Sequence, residues 1–486
     1  MAKQVVFINK TFTVNGDGTQ PYQAGTPGGV GAFNAVGTGV YGGTLDLTHF
    51  WKDSTVYLLV AEETYPYQVV VYNCIGAELG TYDGQSGARI QDGTRHAKVV
   101  SASGQAINLG TVGASRNNFT VDNIDMRAAA RTTSSGFNYG FSCSAAAHST
   151  EVNVAIRRCI ADGYVAITGS GAGFIVEDTV IGGYSDGLSL STTRARAERC
   201  SLLDLPIDYT TYDSITFQTV DANTVESYVA KDNNLLSARY SNKQGVYFYN
   251  GNTLATHPPT GVMLIENNVI SDRNQCILSQ FGGVVVRRNK ILRAYDATYL
   301  DGSGGDPRAI SLWGSNNIVI ANVVSESPYA RGLSLGNQAG TNYVLSNQFD
   351  GIESGISDYA GTTTRTTIAM NNRLTRSLKT AAVPNSDRWF LSTVSQVTLT
   401  VGGNQFYAPD LDAVAETALF VIAGTNKTQT DYLATEPGAR FDAPWLDGDY
   451  RLLSGAPTRG AGKHAGYILD RDGRLMPNPP NIGAYA

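Results

Sequence analysis

Charge is scarce in this chain: Lys, Arg, Asp and Glu make up 16% of its 486 residues, and the net charge is −6. No basic stripe is present, which excludes a surface built to grip a nucleic-acid backbone. An acidic surface also has no attraction for anionic membranes. No apolar run reaches the ~18 residues that a membrane-spanning helix needs, so no membrane insertion is expected. The opening Met1-Ala2-Lys3-Gln4-Val5-Val6-Phe7 lacks the apolar core and small-residue cleavage site of a secretory signal. The chain is therefore expected to leave its cell without a signal, or to begin after one. Cysteine is limited to positions 74, 143, 159, 200 and 276. An odd, scattered set speaks for packed thiols and against a disulfide framework. Neither Cys nor His falls at metal-ligand spacing, so neither a metal nor a cofactor is expected. Long helical periodicity is missing as well.

What the chain does have is turns and a repeated phrase. Gly contributes 53 residues, above the usual ~7% share. Between residues 117 and 375 an apolar residue, two variable residues and then Asn, Cys or Thr precede another apolar position. The polar positions are Asn123, Cys159, Thr179, Cys200, Asn268, Asn289, Asn322, Asn347 and Asn372. Gaps of 20, 21, 21, 25 and 25 alternate with longer ones of 36, 68 and 33. A period of 20–25 residues is one coil of a β-solenoid, whose coils cover each other's apolar faces. Small polar side chains at one corner would bond to their equals in the next coil, about 4.8 Å away. Cys is a small buriable substitute there.

The expected fold is all-β, a single-stranded parallel β-helix. Residues 1–95 are assigned to an N-terminal cap and first coils, 96–380 to the regular body, and 381–486 to C-terminal coils and a cap. Trp389, Tyr432, Trp445 and Tyr450 are candidates to plug the far end. The recurring Gly before Leu-Ser-Leu, at Gly187 and Gly332, is read as a bend needing an unusual backbone angle. Near the C-terminus come Ser454-Gly-Ala-Pro-Thr-Arg-Gly-Ala-Gly462, then Asp470-Arg-Asp-Gly-Arg-Leu475 and Asn481-Ile-Gly-Ala-Tyr485. This series resembles the closing signature of right-handed parallel β-helix proteins of the pectate-lyase-like superfamily. The resemblance implies architecture; the superfamily contains lyases, hydrolases, epimerases and inert virion proteins.

The long gaps hold excess residues, roughly 127–150, 205–256 and 293–309. Detours at one register of stacked coils leave from one side and would wall a groove. The coils also place acids at a common register. Asp162 and Asp350 fall three residues after the polar position, and Asp204, Asp272 and Glu326 four, with Arg293 also four. Tyr numbers 26, against 16 Phe and 4 Trp, and offers sugars an apolar face with a polar tip.

Such a trough suits an extended polysaccharide. The expectation is a glycan-binding, glycan-cleaving protein using paired carboxylates. The catalytic candidates are Asp204 and Asp272, neighbours if the 205–256 detour adds no coil, with Asp208 and Asp213 overhanging. Arg293, Tyr295, Asp296, Asp306, Arg308, Tyr209, Tyr212, Glu326 and Tyr139 are the substrate-binding candidates. Tyr139-Gly-Phe141 with His148 resembles the Tyr-Gly-Phe-Asp-Pro-His motif of mannuronan epimerases, with Ser142 in place of the Asp. By resemblance to phage tailspikes, a homotrimer on a virion or outside the cell is expected, acting on a bacterial surface polysaccharide. A noncatalytic virion or receptor-binding protein, and a uronan lyase or epimerase, remain open.

Overall fold

The computed structural model describes residues 3–14, 16–26, 29–32, 40–41, 44–46, 53–71, 75–101, 104–109, 118–128, 138–144, 153–203, 213–219, 225–237, 241–250, 259–294, 307–336, 338–358, 363–376, 389–408, 419–443, 446–447, 449–463, 469–477 and 479–485. Two compact units divide the chain, Met1–Tyr228 and Val229–Ala486. Each is built of coils with three strands, and strands of like position stack in parallel.

In the first unit the first strands run Gln4–Ile8, Thr55–Val60, Glu78–Tyr82, Asn118–Asp122 and Asn153–Arg157, each paired in parallel with the next. The second strands, from Thr64–Tyr65 through Ala97–Ser101, Ile124–Ala128, Ile160–Asp162 and Val180–Ile181 to Ser201–Leu202, do the same. The second unit repeats the plan. Its second strands include Lys290–Ala294, Val323–Ser325, Gln348–Ile352, Arg373–Arg376 and Gln405–Tyr407. The fold is thus an all-β parallel β-helix, with Gln429–Thr435 the one α-helix among the described residues. Thr428 and Asp431 close its N-terminus in a capping box.

Register explains the core. Ile277, Ile310, Leu333, Ile356, Leu391 and Phe420 lie opposite one another coil after coil, and all six are buried. Burying each such side chain contributes roughly 1.5–3 kcal/mol. No single coil could do this alone, since its apolar residues would have no facing layer.

The coils on either side of 96–380 share its register, and two other expectations change. The parallel register crosses residue 95, because Thr64–Tyr65 already pairs with Ala97–Ser101. It also crosses residue 380, because Arg373–Arg376 pairs with Gln405–Tyr407. The stretch 205–256 is not one detour: Asp213–Gln218 completes the coil of Cys200, and Ser227–Lys231, Asn234–Leu235 and Ser241–Tyr249 are the strands of a further coil. Finally, Gly332 does not have an unusual backbone angle. A Cβ there would stand 2.6 Å from Phe349 Cδ1, so close packing requires the glycine.

Tyr432 does plug the far end of the second unit. It stacks on Phe420 at 4.0 Å and meets Phe406 edge-on at 5.2 Å. Trp389 is buried as well, its ring under the Arg331 guanidinium at 5.6 Å. Trp445 lies outside the described residues. Tyr450 belongs to a tail that returns along the coils. In that tail Lys463 bonds to Asn371, Arg471 to Asn267, and Thr458 and Ile482 to Arg373. The stretches that resemble a closing signature are therefore a strap across the second unit.

Candidate functional site

Two corners of each coil organise the polar residues. At the first, the residue before the polar position takes a left-handed backbone: Arg158, Asp178 and Arg199 in the first unit, and Asp232, Asn267, Arg288, Ala321, Ser346 and Asn371 in the second, with φ between 50° and 58°. This turn aims the next side chain inward. Asn268, Asn289, Asn322, Asn347 and Asn372 are all buried. The Oδ1 of each accepts from both nitrogens of the asparagine one coil before it. Asn289 gives Asn322 bonds of 3.0 and 2.9 Å, and Asn322 gives Asn347 bonds of 3.0 and 3.0 Å.

The file is longer than its sequence phrase. Asn233 precedes Asn268 and Asn404 follows Asn372, and the series ends on the buried Glu436 carboxylate. Cys159, Thr179 and Cys200 hold the same place in the first unit, where Thr179 Oγ1 accepts the Cys159 N–H at 3.4 Å. Burial pushes the Cys159 and Cys200 thiols up to about 12. Asn123 is one position out of file. It takes the left-handed position itself, with φ 62°, because Asp125 pairs with Ile160 and leaves Ile124 facing Cys159.

The second corner lies four residues on and carries the acids. Asp272, Arg293, Glu326 and Gly351 share left-handed φ of 52–62°. Charges alternate along this file. Arg293 grips Asp272 with two bonds, 2.9 and 2.8 Å, and reaches Glu326 at 3.4 Å. Glu326 is half exposed. One coil on, the pairing of Val324 with Phe349 sets Asp350 opposite Ser325. Burial raises the Asp350 carboxyl above its ordinary value, opposed by the facing Thr375 hydroxyl and the Arg373 charge. Tyr450, from the tail, packs against the cluster of Val323, Ala484 and Tyr485. Burial raises its hydroxyl above the ordinary phenol value.

The structure therefore brings Asp272, Arg293, Glu326 and Asp350 together on successive coils. Asp204, Asp208, Tyr209, Tyr212, Tyr295, Asp296 and Asp306 lie outside the described residues. The condition for Asp204 beside Asp272 fails. The coil next to Asp272 carries Asn233, and its Asn234–Leu235 strand pairs with Val269 and Ile270. Asp213 opens a third strand in the first unit, one coil from Asp186 in register. Tyr139 pairs with Val165, and Tyr164 and Tyr184 stack nearby in sequence at 5.8 Å. Arg308 stands in register with Arg331. Among the described residues no group of His, Cys, Asp and Glu is placed to hold a metal ion.

Two carboxylates on adjacent coils, one paired with an arginine and one pushed toward its protonated form, have the electrostatic asymmetry of an acid and a nucleophile or base. No family model matches the chain, and no curated protein matches it.

Proposed function

We propose that the chain binds and cleaves an extended glycan by carboxylate-mediated hydrolysis, with the second unit's Glu326 and Asp350 as its acid pair. The observation that carries this reading is their opposed surroundings: Arg293 beside Glu326, burial around Asp350. Asp350, whose carboxyl burial raises, serves as the acid that gives a proton to the glycosidic oxygen as that bond breaks. Glu326 attacks or stabilises the anomeric carbon, and water completes the hydrolysis. Adjacent coils lie about 4.8 Å apart, which favours the retaining arrangement with carboxyls about 5–5.5 Å apart. Asp272 becomes the residue that holds Arg293, in place of its role as acid. A bacterial surface polysaccharide, met by a tailspike-like homotrimer on a virion or outside the cell, is the setting that fits a capped solenoid with an acid-lined side.

The test is a panel of capsular and lipopolysaccharide glycans with reducing-end detection. Wild-type protein is expected to shorten one of them. Glu326→Gln and Asp350→Asn should each cut the rate by at least about 100-fold while leaving the fold intact. Full activity in both variants removes this pair from the reaction. Binding without cleavage favours the noncatalytic virion or receptor-binding reading. A uronan lyase or epimerase has one observation in its favour, Arg308 and Arg331 one coil apart; absorbance from an unsaturated uronate would establish the lyase.

A further inference from the structure

The third strands of the first unit turn a polar face outward. Leu188 and Leu190 pair with Ile215 and Phe217, and all four are buried in the core. The residue between each two points the other way. Those residues form a file in register over five coils, Asn108, Ser142, Thr168, Ser189 and Thr216. All are small and uncharged. At the start of the same strands a second file reads Tyr139, Val165, Asp186 and Asp213. Its last two members are acids on adjacent coils, about 4.8 Å apart along the stack. Like charges set opposite each other on paired strands are destabilising, and stacking alone gives no reason to keep them. Two further observations point to a ligand. Thr216 is 8% exposed, and its hydroxyl has no hydrogen-bond partner among the described residues; leaving a buried hydroxyl unpaired costs stability. Beside the acids, Tyr164 and Tyr184 stack at 5.8 Å and 18°. Tyr184 N and Ser185 N both donate to Tyr164 O at 2.8 Å, so the backbone of the corner fixes the stack two residues ahead of Asp186. Ser185 Oγ then donates to Asp186 Oδ2 at 2.9 Å and orients that carboxylate.

We propose that this face of the first unit is a glycan-binding site of its own, which takes a sugar residue against the tyrosine stack and the Asp186–Asp213 pair. The chemistry is complementary. A sugar ring has an apolar face for tyrosine and hydroxyls around its edge. Ionised carboxylates only accept hydrogen bonds, and bonds to them are the strong ones. Two carboxylates one coil apart suit neighbouring hydroxyls of one ring, and those donors offset the repulsion that the empty pair bears. The Ser189 and Thr216 hydroxyls, which both give and accept, continue the polar surface along the strands. A divalent cation fits less well, since among the described residues no third His, Cys, Asp or Glu joins the two acids. The site uses neither Glu326 nor Asp350, so it stands whether or not those two cleave.

The test is equilibrium binding of the capsular and lipopolysaccharide glycans, measured on full-length Glu326→Gln protein so that each glycan stays whole. At least one is expected to bind. Adding Asp186→Asn and Asp213→Asn together should weaken that binding by at least about tenfold. Tyr184→Ala should weaken it similarly, whereas Tyr184→Phe keeps the ring and should keep the affinity. The double Asn variant should also unfold at a higher temperature than its parent at pH 7, because the repulsion is gone; weaker binding is then not a folding defect. Calcium alone should leave the unfolding midpoint of wild-type protein where it is. Binding is read without cleavage, so a wild-type protein that cuts nothing leaves this result standing. The proposal is overturned by a panel that does not bind, by unchanged affinity in the double Asn variant, or by a lowered midpoint there, which would assign the pair to structure. A calcium-induced rise in midpoint that the double variant lacks would make the pair a cation site and overturn it too.

Discussion

Asn322 carries several duties in one side chain. Its Oδ1 accepts from both nitrogens of Asn289, and its Nδ2 donates to Asn347 Oδ1 at 3.0 Å and to Val286 O at 2.9 Å. Alanine there would leave the Asn289 N–H without its acceptor, take one of three acceptors from Asn289 Nδ2, and leave Val286 O and Asn347 Oδ1 each short of a donor. Each such loss costs about 1–3 kcal/mol, so Asn322→Ala should destabilise by about 3–5 kcal/mol in denaturant titration. Asn322→Cys should cost less, because Cys159 and Cys200 fill the same corner in the first unit. A cost for Asn322→Ala within experimental error of wild type would remove the ladder as a source of stability. Asp350 gives a second residue-scale prediction. Its folded carboxyl is raised above 3.8 by burial, so between 3.8 and the folded value the folded state holds more protons than the unfolded one. Stability from this group is therefore present at low pH and lost as pH rises through that window. Asp350→Asn has no such loss. The difference in unfolding free energy between variant and wild type should move in the variant's favour from pH 3 to pH 7; a constant difference would show Asp350 to be solvated.

At the scale of the coil, the asparagines were legible because an inward corner tolerates few side chains. The residues that make the corner possible were not. Arg158, Ala321 and Ser346 hold left-handed backbone without the Gly or Asn that normally announces it. Tertiary stacking sets their conformation, and local propensity yields. The coil of Asn233 was hidden for a related reason. Its phrase, Asp232-Asn233-Asn234-Leu235, sits inside a gap of 68 residues, and the detours around it broke the period. Register then decided the site. A miscounted coil put Asp204 beside Asp272, whereas Asn233 stands in that coil. The file of acids four residues after the ladder was visible in the spacing, and so was Arg293 within it. That Arg293 would grip Asp272 and leave Glu326 half exposed required side-chain geometry. The packing of Tyr450 against the Val323 cluster was beyond any periodic argument, since the tail that carries it does not repeat.

Across the molecule, the outward side of the first strands carries a charged file and, in the second unit, an apolar one beside it. In the first unit Arg157, Glu177, Arg196 and Glu198 line that side and pair among themselves, Arg157 with Glu177 at 3.3 Å. In the second unit Glu266 and Arg287 hold the same place and pair at 3.0 Å, while two residues earlier in each strand an apolar file reads Leu264, Val285, Ile318, Tyr343 and Ile368, in register over five coils. Ile318 and Tyr343 are 37% and 40% exposed. Solenoid stability is a sum of coil and neighbour terms, so an apolar outward file adds nothing to the stack that a threonine file would not. Its presence fits the proposed self-association, in which water is removed from it. The double variant Ile318→Lys, Tyr343→Glu leaves every inward residue in place. Wild-type protein in sedimentation should run as a homotrimer, and the double variant as a smaller species with an unchanged circular dichroism spectrum. A variant that keeps the wild-type mass would place the contact elsewhere, and a monomeric wild type would withdraw the trimer altogether.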